Sequence, residues 1–164
     1  MGWRAVLAAT MFFAGASAFA QKPALIRDID APGRQAYVTR CVVGGTVACQ
    51  VPAVPAGKRL TVTTLTVRLL FDNSGNAVST PRQTAVNVDA YLGGNPVPGA
   101  GVIVPIPQIS TCTDCTRQYG GTLDAVMFLD EGQALNLLPV SFVSTGGAAP
   151  PIGELMVTGY LTDK

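Results

Sequence analysis

Leu60-Thr61-Val62-Thr63-Thr64-Leu65-Thr66-Val67-Arg68-Leu69-Leu70-Phe71 is dominated by β-branched and apolar residues. Such side chains fit a pleated sheet surface better than a helix, where χ1 crowding works against them. Period-two alternation places Leu65, Val67, Leu69 and Phe71 on one face and Thr64, Thr66 and Arg68 on the other, with Leu60 and Val62 sharing the second parity. Burying the second set would bury a guanidinium, so the first set is expected to face the core. The strand follows a Pro/Gly connector, residues 52–57, and stops at Asp72-Asn73-Ser74-Gly75-Asn76, a turn cluster.

The same reading carried along the chain gives strands over 24–29, 35–43, 47–51, 60–71, 84–92, 101–106, 122–129, 134–143 and 154–162. Turn signals separate them, including Gly93-Gly94-Asn95-Pro96, Asp130-Glu131-Gly132 and the segment with Pro150-Pro151. About nine short strands with little helical spacing point to an all-β fold, an antiparallel β-sandwich of jelly-roll type, with a closed β-barrel as the alternative. The last strand is expected inside a sheet. The glycine pairs, Gly120-Gly121 among them, read as turns, since none stands in the strand–loop–helix setting of a phosphate cradle.

The first twenty residues stand apart. Arg4, an apolar run from Ala5 to Gly15 and the small-x-small Ala18-Phe19-Ala20 make a secretory signal peptide over residues 1–20, cleaved before Gln21. The expected mature domain, residues 21–164, is long enough for one core. With Arg4 removed, the balance of 11 basic and 10 acidic residues becomes neutral. A sparsely charged surface offers no electrostatic footprint for nucleic acid or anionic lipid. No later segment reaches the roughly 20 apolar residues of a membrane span. The expected location is periplasmic or extracellular.

Export sets the reading of the four cysteines. In an oxidising compartment Cys41, Cys49, Cys112 and Cys115 form a disulfide framework with three possible connectivities. Local pairing, Cys41 with Cys49 and Cys112 with Cys115, is favoured, and the crossed alternatives stay open. Gly44-Gly45 would turn a hairpin that brings Cys41 and Cys49 face to face. A four-thiolate zinc site would need both pairs to converge, and the first is spaced wider than a zinc knuckle. A redox-active Cys112-Thr113-Asp114-Cys115 would need a helix N-terminus, where turn formers stand instead.

Histidine is absent, which removes the Ser-His-Asp and Cys-His mechanisms and the usual acid–base group near neutrality. Among the acids, Asp89 and Asp124 lie inside expected strands. A carbohydrate-active hydrolase or lyase would use Asp89, Asp124 or Glu154 with an arginine. Asp28-Ile29-Asp30 and the Asp72–Asn76 turn carry oxygen ligands suited to calcium, but no twelve-residue loop closes on a glutamate. Arg27 and Arg34 flank the first pair and can neutralise it. No cofactor motif is present and no metal site is expected. Tyr37, Tyr91, Tyr119, Tyr160 and Phe128 are the aromatics available for sugar stacking, and Trp3 leaves with the signal.

Three stretches carry a resemblance: Ile26-Arg27-Asp28-Ile29-Asp30-Ala31-Pro32-Gly33-Arg34-Gln35, Val54-Pro55-Ala56-Gly57-Lys58-Arg59-Leu60, and Val157-Thr158-Gly159-Tyr160-Leu161-Thr162-Asp163. The chain resembles a group of small exported bacterial β-sandwich proteins of uncharacterised function. Many of that group carry Asn-Pro-Ala where this chain has Ala31-Pro32-Gly33. The resemblance implies a secreted sandwich and supplies no activity. The expected function is therefore binding or structural at the cell envelope, without catalysis, toward a glycan or an envelope protein. An adhesin or pilus-like subunit, with residues 21–29 as a donated strand, is a further alternative.

Overall fold

The computed structural model describes residues 33–44, 48–73, 76–110, 116–138 and 141–164, with the side chain of Val43 left aside. The signal peptide with Ala18, Ala20 and Gln21, the strand expected at 24–29, the Asp28–Asp30 pair, and Cys112 and Cys115 lie outside these residues. Among the described residues there are eleven strands and no helix: β1 (Gln35–Gly44), β2 (Cys49–Gln50), β3 (Lys58–Phe71), β4 (Val78–Pro81), β5 (Ala85–Leu92), β6 (Asn95–Pro105), β7 (Gln108–Ser110), β8 (Arg117–Asp130), β9 (Gln133–Leu137), β10 (Phe142–Thr145) and β11 (Ile152–Asp163).

They form a five-stranded sheet in the order β1-β11-β3-β8-β7, a four-stranded sheet in the order β2-β9-β5-β6, and a two-stranded ribbon, β10-β4. All pairings are antiparallel. Setting aside the separate β4–β10 ribbon and the edge strand β7, the remaining eight strands pair first with eighth, second with seventh, third with sixth and fourth with fifth. That is one long antiparallel ribbon folded over on itself, the topology of a jelly roll. Leu65, Val67, Leu69, Leu155 and Val157 of one sheet and Val86, Val88, Ala90, Leu135 and Leu137 of the other belong to one core cluster. The sheets therefore face each other as a sandwich, and the barrel alternative fails.

Strand β3 supplies the centre as its composition requires. Leu65, Val67, Leu69 and Phe71 are fully buried and Arg68 is exposed. Leu60 and Val62 are buried too, against the parity expected of them. The cause is an irregularity at Thr63: the register against both β11 and β8 shifts between Val62 and Thr64. One extra residue reverses the alternation, so both halves of the strand turn their apolar set inward. Gly159 accommodates the bulge, because a Cβ there would collide with the Thr61 carbonyl oxygen.

Further corrections come from the connections. Residues 134–143 are two strands, β9 and β10, in different sheets. Gly93 and Gly94, with φ of 58° and 85°, make a two-residue hairpin between β5 and β6, so β6 starts at Asn95 and not at 101. Gly120 and Gly121 lie within β8 and are no turn. A Cβ on Gly121 would strike the Pro105 carbonyl, so the glycine permits a close crossing of backbone. Strands β4 and β7 are short and bounded by proline, so the alternation of the sequence does not announce them.

Cys41 and Cys49 are disulfide-bonded, with Cα atoms 5.6 Å apart. They do not face across a hairpin: β1 pairs with β11 and β2 with β9. The bond instead ties the edge of one sheet to the edge of the other. At the far end of β3, Phe71 meets Tyr119 and Phe142 edge-on at 5.3 and 6.5 Å between ring centres. This aromatic contact fastens the β4–β10 ribbon to the core.

Candidate functional site

Strand β5 turns Val86, Val88 and Ala90 into the core, so Asn87, Asp89 and Tyr91 share the outer face of the four-stranded sheet. Across that face Gln50, Asn136, Asp89 and Gly101 stand in one row of register on β2, β9, β5 and β6. In the adjacent row Tyr91 stands opposite Ala134. Ala134 is buried but lies outside the core cluster, so this outer face is itself partly covered.

Strand β6 shapes the rest. Its pairing with β5 jumps from Asp89↔Gly101 to Tyr91↔Pro96, so Val97-Pro98-Gly99-Ala100 bulge out of the ladder. Gly99 takes the left-handed conformation, φ 72°. An open groove of about 440 Å³ results, lined by Asn87, Asp89 and residues 96–103. Gly101 leaves room for the carboxylate: a Cβ there would occupy the place of Asp89 Oδ1, so the side chain would have to turn aside.

Asp89 has no hydrogen-bond or ion-pair partner among the described residues, and no basic residue lines the groove. On the neighbouring strand Asn136 Oδ1 is buried without a hydrogen-bond partner among the described residues. Buried acceptors in native proteins are nearly always satisfied, so Asn136 Oδ1 calls for a donor from elsewhere, whereas the half-buried Asp89 carboxylate is open to solvent and to a ligand.

The other acids among the described residues are engaged. Asp130 accepts from Arg59 Nε at 3.0 Å and lies 3.2 Å from Lys164 Nζ. The Arg59 hydrogen bond, and after it that of Lys164, holds its carboxyl below the usual carboxylate range. Asp163 pairs with Lys58 at 2.6 Å, and Glu131 accepts from the Gly57 amide at 2.6 Å. Glu154 lies 3.6 Å from Arg40, and Asp124 accepts from Thr64 Oγ1 at 3.4 Å. Asp72 sits half-buried just past β3, and the described residues hold no group of three metal-ligating side chains.

The three acids singled out in the sequence are not brought together. Asp89 is on the outer face of the four-stranded sheet, Asp124 and Glu154 on that of the five-stranded sheet. The latter two stand opposite Thr64 and Arg68, four residues apart along β3, or about 13 Å at 3.3 Å per residue. Two-carboxylate glycoside hydrolysis needs a separation of about 5 to 9.5 Å.

The aromatics divide likewise. Tyr37 and Tyr119 pack against the core, and burial raises the Tyr37 phenol above its usual range. Phe128 is exposed, and Tyr160 carries the Arg34 guanidinium 4.7 Å above its ring. Only Tyr91 stands beside Asp89. Asn136 and Gly101 escaped the sequence reading. Their signals were a lone amide in Ala134-Leu135-Asn136-Leu137-Leu138 and two glycines among prolines, the mark of a bulge. Among the described residues no helix is long and apolar enough to cross a membrane. Compared with protein-family models, with characterised proteins and with solved structures, the chain matches none.

Proposed function

We propose that the protein is an exported, non-catalytic binding module whose ligand face is the outer face of the four-stranded sheet, and whose ligand is a glycan of the cell envelope. The observation that carries this is the half-buried Asp89 carboxylate, without a partner among the described residues and lining an open groove, with the buried Asn136 Oδ1 in register beside it. A carboxylate and an amide oxygen accept only, so the complementary ligand presents donors, as sugar hydroxyls do. The Tyr91 ring offers an apolar surface with a polar tip, suited to a sugar face. Export is supported by the leader reading of residues 1–20 and by the Cys41–Cys49 bond. The non-catalytic reading is supported by the lack of histidine and by the separation of Asp89 from the other acids.

The jelly-roll pairing closes within the described residues. In the adhesin-like reading, a donated strand would therefore add to a sheet edge and not fill a gap. A glycan array followed by titration calorimetry tests the proposal. Binding to at least one envelope glycan is expected, weakened about tenfold or more by Asp89→Asn, the loss of a charge-assisted hydrogen bond. Gly101→Ala, which displaces the carboxylate, should act in the same direction. An array without hits, or affinity indifferent to both substitutions, refutes it.

A further inference from the structure

The two main sheets have four edge strands among the described residues: β1, β7, β2 and β6. Three are blunted. Strands β7 and β2 are three and two residues long, and β6 carries Pro96, Pro98, Pro105 and its bulge. Short length, proline and bulges are the devices that keep an edge from pairing with another chain. Strand β1 has none of them. It runs ten residues without proline, and its register against β11 is unbroken from Gln35 to Gly44. Among the described residues its outer side therefore presents a regular row of backbone donors and acceptors.

The side chains beside this edge are apolar on the solvent face. Val38 and Val42 are 66% and 61% exposed, and Ile152 and Met156 on β11 are 55% and 39% exposed. The strand is also compatible with itself. A two-fold axis at Thr39 would set two β1 strands antiparallel, with Val38 opposite the second copy's Arg40 and Ala36 opposite its Val42. Arg40, the one charged residue of β1, then meets no like charge, and Glu154 at 3.6 Å already offsets it. A net charge of +1 for the whole chain adds little repulsion between copies.

We infer that β1 is a self-association edge: two copies of this chain pair β1 to β1 antiparallel, joining their five-stranded sheets into one continuous sheet with a shared apolar stripe. The glycan faces of the four-stranded sheets remain free, so the dimer is bivalent, but the inference does not depend on the glycan reading.

Light scattering coupled to size-exclusion chromatography, across roughly 1 to 200 μM of exported protein, should show a concentration-dependent dimer. Hydrogen exchange should show added protection of alternate amides in residues 35–44 as the dimer forms. Val38→Lys with Val42→Lys, both at exposed positions, should weaken the dimer by about tenfold or more. The melting temperature of the monomer should barely move, showing that the fold survives. A monomer throughout, or a dimer indifferent to the double substitution, overturns the inference. So does a monomer whose β1 amides are already protected on both sides, since the edge would then be occupied by the chain's own residues.

Discussion

Leu69 and Thr66 are neighbours on one strand with opposite fates. Leu69 is fully buried, whereas Thr66 faces outward and shares a 3.1 Å hydroxyl contact with Thr122. Truncating a buried leucine costs transfer free energy plus a cavity, so Leu69→Ala should destabilise by about 2 to 5 kcal/mol. Thr66→Ala should cost less than about 1 kcal/mol. Denaturant melts of the two variants check the pair. Gly159 tests the bulge. With an added Cβ directed at the Thr61 carbonyl, Gly159→Ala should lose about 1 to 3 kcal/mol, the range for forced overpacking. A neutral result by the same melts would show that the backbone relaxes there freely.

At the scale of elements, the Cys41–Cys49 bond joins β1 to β2, and hence the two sheets. Chain entropy alone gives about 2.5 kcal/mol for closing a ring of about nine residues. Cys41→Ala with Cys49→Ala should therefore lower unfolding free energy by about that amount, measured by denaturant titration. Tyr37, on the same strand, gives a pH signature at the alkaline end. Burial raises its folded pKa above the ordinary 10.0. A raised pKa means that the stability it contributes is complete below about pH 10 and is lost as pH rises through the folded value. Tyr37→Phe should flatten that alkaline decline in a series of melts from pH 8 to 12.

The whole molecule responds to acid through Asp130, which joins β3, β8 and the C-terminal Lys164 by its contacts with Arg59 and Lys164. Its pKa is depressed below 3.8. The associated stability is therefore present above the ordinary carboxylate range and is lost as pH falls through the folded value. The group is solvent-exposed, so the effect is modest and fades with salt. Arg59→Ala should raise the Asp130 pKa in an NMR titration of its carboxyl carbon and reduce the acid slope of stability.

Much of this architecture is local and was therefore legible in the chain. Alternation in residues 64–71, the Gly93-Gly94 turn and the polar clusters between apolar runs each act over a few residues, and a strand of unbroken period two needs nothing more to declare its core face. The jelly-roll class, the inward set Leu65, Val67, Leu69 and Phe71, the interior place of the last strand and the partnership of Cys41 with Cys49 all rest on such signals. What resisted reading depends on which strands become neighbours. The bulge at Thr63 is defined only by the registers of β3 against β11 and β8. The route of the disulfide follows from β1 and β2 joining different sheets. Asp89 acquires its neighbours, Asn136 and Gly101, only because the folded ribbon sets β5 between β9 and β6. Gly101, 12 positions on, returns beside Asp89 through the β5–β6 hairpin, but Asn136 is 47 positions away, and residues that far apart have no local signal of their meeting. Pairing between distant strands, settled by the burial of both sheets in one core, placed Asp89 beside Asn136 and left β1 at a sheet edge among the described residues.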